Sequence, residues 1–128
     1  MTTFSPLKAP ASALAGLLIA ATSPAHAQDA TAGARLFAQR CQTCHSVNPA
    51  QKATIGPNLA GLAGRKAAAT SFAYSPALKK STLTWDSATL DKFLAGPFRL
   101  VPGTRMVMSV PDSKQRADLV AYLSSLKK

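Results

Sequence analysis

"CQTCH", residues 41–45, contains both cysteines of the chain and one of its two histidines. Two thiols stand three positions apart, and an imidazole follows the second directly. Four chemistries compete for such a stretch: a disulfide, a structural metal site, a redox dithiol and a covalently held cofactor. A Cys41–Cys44 disulfide would close a very small loop and restrict the unfolded chain little. A structural zinc ion needs four ligands, commonly Cys and His. Cys41, Cys44 and His45 supply three, and the remaining histidine, His26, lies in a segment expected to be removed. A thioredoxin-type dithiol opens a helix after a strand, whereas this motif ends a helical pattern and no strand pattern precedes it. One reading uses all three residues. Cysteines at i and i+3 form thioethers to the two vinyl groups of one porphyrin, and the adjacent histidine reaches the iron from the same side.

The first 27 residues have the composition of an export signal. Lys8 precedes an apolar run from about Ala13 to Ala21, and Ala25-His26-Ala27 is a small-x-small cleavage pattern. The run is too short and too alanine-rich to span a bilayer as a stable helix. Cleavage after Ala27 is therefore expected, leaving residues 28–128 as one exported domain, periplasmic in a bacterium. Covalent haem attachment suits that route, since bacteria attach haem c outside the cytoplasm. The whole chain carries 15 Lys and Arg against 5 acidic residues, a formal net charge of +10, and removal of Lys8 lowers it by one. All the acids are aspartates. Such a surface favours an acidic partner. The cations are dispersed singly or in pairs with no recognisable nucleic-acid fold, so nucleic-acid binding is not expected.

Helical periodicity recurs along residues 28–128, and no period-two strand pattern appears. In "DATAGARLFAQRCQTCH" the positions Leu36, Phe37, Cys41 and Cys44 fall on one helical face. "DSATLDKFLAG" predicts a second helix, with Asp86 as N-cap, Leu90, Phe93 and Leu94 turned inward, and a stop at Gly96-Pro97. "DSKQRADLVAYLSSLKK" predicts a terminal helix capped by Asp112 or Ser113, with Leu119, Tyr122, Leu123 and Leu126 as its stripe. Between them run long segments, "TIGPNLAGLAG" and "GPFRLVPGTRM", that mix Gly and Pro with apolar residues. A few short helices with apolar loops bury too little surface at this length. A large apolar cofactor at the centre resolves the difficulty.

A haem iron has two axial positions. With His26 removed, no second histidine is available opposite His45, so the residues leave Met106, Met108, a lysine, water or an open site. Met106 sits in the turn-rich "VPGTRM". Methionine also serves widely as a flexible filler of cores.

Taken together the motifs resemble those of the class I c-type cytochromes, the group of mitochondrial cytochrome c and bacterial cytochrome c2. "GARLFAQRCQTCHSV", "GPNLAGLAGRKAA", "FAYSPALKKSTLTW", "PGTRM" and "RADLVAYL" follow one another in that family's order. The resemblance implies a small all-α fold of three to five short helices and loops wrapped around one covalently bound haem c. It implies thioether links at Cys41 and Cys44 and iron ligation by His45 and Met106. It further implies that the Pro57 carbonyl accepts the other imidazole N–H, as partners of metal-bound histidines generally do. Arg65, Tyr74, Trp85 and Thr104 match residues around the haem propionates. Gly33, Phe37, Leu119 and Tyr122 match the crossing of the terminal helices. Two positions depart from the mitochondrial pattern: Phe93 replaces a tyrosine and Leu78 an asparagine, both near the methionine side.

The function implied is one-electron transfer rather than catalysis. No nucleophile constellation, carboxylate pair or phosphate loop is visible in the sequence. The expected protein is a monomeric carrier that docks on acidic patches of redox complexes, with a bc1-type donor and an oxidase, reductase or reaction-centre acceptor. The alternative is a dedicated haem subunit of a periplasmic dehydrogenase. Stable membrane insertion is not expected.

Overall fold

Three aspartates open the three longer helices. In the computed structural model, which describes residues 1–3, 5 and 27–128, Asp29 caps α1 (Ala30–Arg40) by accepting the N–H groups of Thr31 and Ala32. Asp86 caps α3 (Ser87–Ala95) through Thr89, whose N–H holds the Asp86 carboxyl below the usual carboxylate range. Asp112, rather than Ser113, caps α5 (Ser113–Ser125) through Gln115. Each such cap typically contributes about 1 kcal/mol. Two short helices complete the set, α2 (Pro76–Lys80) and α4 (Pro97–Leu100), each with proline in its first turn. Among the described residues the only β-type pairing is a single antiparallel bridge between Lys66 and Thr84. The all-α expectation therefore holds, with α2 and α4 added to the three helices that periodicity predicts.

Crossing of α1 and α5 is the most extensive helix–helix contact among the described residues. Gly33 makes it close. A β-carbon there would stand 2.0 Å from the Asp118 carbonyl oxygen and 2.9 Å from the Tyr122 Cβ. One turn on, Phe37 meets Tyr122 with ring centroids 5.5 Å apart, and Leu119 and Leu123 close the core beneath them. A polar tie reinforces the contact. The buried Asp118 carboxylate accepts the Asp29 backbone N–H at 2.9 Å and the Lys114 ammonium at 2.6 Å. Lys114 first, and then the Asp29 N–H, hold that carboxyl below its ordinary range.

On α3, Leu90, Phe93 and Leu94 are buried, and the helix ends at Gly96, as the periodicity predicts. On α1, helical geometry stops at Arg40, so Cys41 to Cys44 form a turn beyond the helix rather than a continuation of its stripe. Leu36 is half-buried against the core. The apolar run and His26 of the expected signal segment lie outside the described residues. No helix among the described residues is long and apolar enough to cross a membrane.

Because the atoms facing Gly33 are backbone and a Cβ rather than a flexible side-chain end, Gly33→Ala forces the helices apart. Overpacking of this kind costs about 1–3 kcal/mol, which in a domain of this size lowers the melting temperature by roughly 5–20 °C. Thermal unfolding followed by far-UV circular dichroism measures it. A melting temperature unchanged by the substitution would show that the crossing is looser than described.

Candidate cofactor site

Every residue that the sequence assigns to the cofactor lines one cavity of about 440 Å³, within the range of ligand-binding clefts. Cys41, Cys44 and His45 approach it from the turn after α1. Pro57 and Arg65 belong to the following loop. Tyr74, Trp85 and Thr104 come from further along the chain, and Met106 from the segment after α4. Leu59, Leu62, Leu90, Leu94, Leu119 and Leu123 give the lining its apolar character.

The turn at 41–45 is held by backbone bonds. The N–H groups of Cys44 and His45 both donate to the Cys41 carbonyl, and the Gly56 N–H donates to that of Cys44. His45 Nδ1 lies 2.8 Å from the Pro57 carbonyl oxygen. A carbonyl only accepts, so Nδ1 carries the proton and Nε2 keeps a free electron pair. Burial pushes the His45 pKa down, and the bond to Pro57 works in the opposite sense. The net shift is downward, so the ring is a neutral potential ligand. Gly56 permits this packing: a β-carbon there would lie 2.6 Å from the His45 Cε1. Both cysteines are unpaired and half-buried. Burial pushes the Cys41 thiol up, with Arg40 partly opposing it. That shift is the opposite of what an activated redox dithiol requires. Among the described residues no group of three or more His, Cys, Asp or Glu side chains is gathered to hold a metal ion.

Met106 reaches the cavity from a segment without regular structure whose flanks are anchored. Thr104 is buried and its N–H donates to Val101, while the Val110 N–H donates to the Leu94 carbonyl at 2.8 Å. Met108 lines the same cavity but is 38 % exposed, whereas Met106 is partly buried against the core. Phe93 and Leu78 also line the cavity, so neither brings a hydroxyl or amide to it. Phe93 packs edge-on to Trp85 with centroids 5.0 Å apart.

The polar residues keep partners of their own. Arg65 donates from Nη1 to the Ala60 carbonyl and from Nη2 to that of Asn58. The Tyr74 hydroxyl lies 2.6 Å from Thr70 Oγ1. Trp85 is tied through its backbone to Arg65 and Gly64. Sequence reasoning missed Thr70 as the partner of Tyr74. It also missed the mouth of the cavity, where Ile55, Val107 and Met108 are 70 %, 77 % and 38 % exposed and Arg40 and Arg105 stand beside them. An apolar residue beside each loop motif, Ile55 before Gly56-Pro57 and Val107 after Met106, was the available signal. An apolar cleft with two unpaired thiols, a neutral imidazole and a thioether on its walls fits haem.

A family model described as cytochrome c matches residues 30–127. Cytochrome c2 of Rhodoblastus acidophilus is 44 % identical over 103 residues, covering 79 % of this chain and 95 % of its own. Cytochrome c of Theileria parva is 42 % identical over 96 residues, covering 74 % and 84 %. Among solved structures, cytochrome cH from Methylobacterium extorquens superimposes with a TM-score of 0.68 at 46 % identity, over 74 % of this chain and 96 % of that one. Members of this family bind haem c covalently and transfer electrons rather than catalyse reactions. The order of motifs, the all-helical fold and the shared cavity lead to one conclusion: this chain belongs to the cytochrome c family.

Proposed function

We propose that the chain is a periplasmic mono-haem carrier, freed of residues 1–27 and reduced by one complex and oxidised by another. The observation that supports it best is the neutral His45 ring, fixed by Pro57, in the same cavity as the Met106 thioether. In this reading Cys41 and Cys44 would hold haem covalently, and His45 and Met106 would ligate its iron. Haem so ligated supplies one-electron transfer and offers no position for oxygen or a substrate. The chain's own residues do the rest. Pro57 holds the imidazole in one tautomer and orientation. Arg65, Tyr74, Trp85 and Thr104 would surround the haem propionates, with Arg65 and Tyr74 themselves held by Asn58, Ala60 and Thr70. Leu78, Phe93 and Leu94 add apolar surface to the lining of the cavity that holds Met106.

Partners follow from charge. Among the described residues only Lys114 and Arg116 are paired with carboxylates. The three aspartates outside those pairs cap helices. The remaining described cations, unpaired with carboxylates, steer the protein onto acidic patches of a bc1-type donor and of an oxidase, reductase or reaction-centre acceptor. The second reading, a dedicated subunit of a periplasmic dehydrogenase, draws on the exposed apolar rim of Ile55, Val107 and Met108, which suits a tight, lasting interface.

Two measurements test these assignments. In the oxidised protein Met106→Ala abolishes the weak far-red sulfur-to-iron band, while Met108→Ala leaves most of it; the reverse result would transfer the ligand role to Met108. Oxidation of the reduced protein by membranes of the source organism slows about tenfold between 0.01 M and 0.15 M salt, as the screening length shortens from about 30 Å to about 8 Å. A salt-independent rate would favour the dedicated subunit.

A further inference from the structure

The start of α1 is tied down at a residue that lies almost directly after the expected cleavage point. The Asp29 side chain accepts the N–H groups of Thr31 and Ala32, and its carbonyl accepts that of Gly33. Its own N–H donates to the buried Asp118 carboxylate at 2.9 Å. That carboxylate already has a cation: Lys114 Nζ stands 2.6 Å and 2.7 Å from its two oxygens. One residue earlier is Gln28, which is exposed and whose side chain makes none of these bonds.

With residues 1–27 removed, Gln28 is the first residue and carries an α-ammonium. Its surroundings oppose that charge. The beginning of α1 is the positive end of the helix dipole, and no acidic residue stands in its first turn. The Asp118 carboxylate, which the neighbouring amide reaches, is matched by Lys114. Glutamine has a local means of discharging the amine. From its α-nitrogen to its own Cδ the covalent path closes a five-membered ring, whereas asparagine would need a four-membered one. The neutral amine attacks Cδ and a C–N bond forms. The Cδ–Nε2 bond breaks, and the side-chain nitrogen leaves as ammonia with the proton given up by the amine. No oxidant, reductant or co-reactant takes part.

The product fits the fold as it stands. The peptide bond between Gln28 and Asp29 is untouched, so the Asp29 N–H keeps its bond to Asp118. The ring needs no room in the core, because Gln28 is exposed. A chain without a free amine is also closed to aminopeptidases. Trimming by two residues would remove both the cap of α1 and its tie to α5.

We propose that Gln28 is a modification site, where the mature chain closes its first residue into a pyroglutamyl lactam that removes the terminal charge and guards Asp29. The proposal rests on cleavage after Ala27.

The experiment uses holoprotein isolated from the periplasm and denatured at harvest. Tandem mass spectrometry of the tryptic peptide spanning residues 28–35 finds it lighter by one ammonia, with the loss on residue 28. Edman degradation of the intact chain releases nothing until pyroglutamyl peptidase has removed residue 28, and then reads Asp-Ala-Thr. Gln28→Asn keeps its full mass and reads Asn-Asp-Ala directly. A wild-type chain of full mass that reads Gln-Asp-Ala would overturn the lactam and leave the cleavage point standing. The same loss of ammonia in Gln28→Asn would place it on another amide and overturn the lactam too. A first residue other than 28 would overturn the cleavage point, and the lactam with it.

Discussion

The close approach of α1 and α5 at Gly33 determines where the cofactor chemistry can happen. α1 ends at Arg40, so its position against α5 fixes the turn that carries Cys41, Cys44 and His45. Leu119 and Leu123 of α5 serve both the crossing and the cavity wall. The same residues that close the terminal helices thus shape the bed beneath the cofactor. The Asp118 tie to the Asp29 N–H pins the first residues of α1 to α5 as well. A side chain at residue 33 would disturb every one of these contacts.

A second constraint is the shortage of internal filling. Core side chains that pack on one another also wall the cleft, and the loops that line it are largely apolar. A domain this small leaves little margin in buried surface. Attaching the filling group covalently removes its dissociation as a route to unfolding. The five aspartates fit the same economy, each engaged in a cap or an ion pair within the fold. The cationic surface is what remains, and it gives the molecule its long-range field.

Helices α1, α3 and α5 were legible because each has an aspartate at its start and an apolar stripe of helical period. α2 and α4 were not. Helices of five and four residues are too short to show a stripe, and their prolines read equally well as turns. In the site, the thiols and His45 were legible from spacing alone, since their chemistry is local in sequence. Residue chemistry did not separate Met106 from Met108; resemblance did, and both line the cavity. Long-range partners left no trace. The Arg65 donors turned to the Asn58 and Ala60 carbonyls, and the reach of Arg105 to Ala73, depend on loop geometry that only the folded chain supplies.

The central claim is that Cys41 and Cys44 bind haem covalently, and acid-acetone extraction tests it most directly. Acid strips haem held by axial ligands alone, because it protonates the imidazole and unfolds the chain, whereas thioether bonds survive. Protein produced with haem-maturation machinery should leave a colourless supernatant and a red pellet in which the protein mass equals that of residues 28–128 plus one haem, less the ammonia lost at Gln28. Replacing both cysteines by serine should send the colour into the supernatant. Haem extracted from the unaltered protein would contradict covalent attachment and the role given to the two thiols.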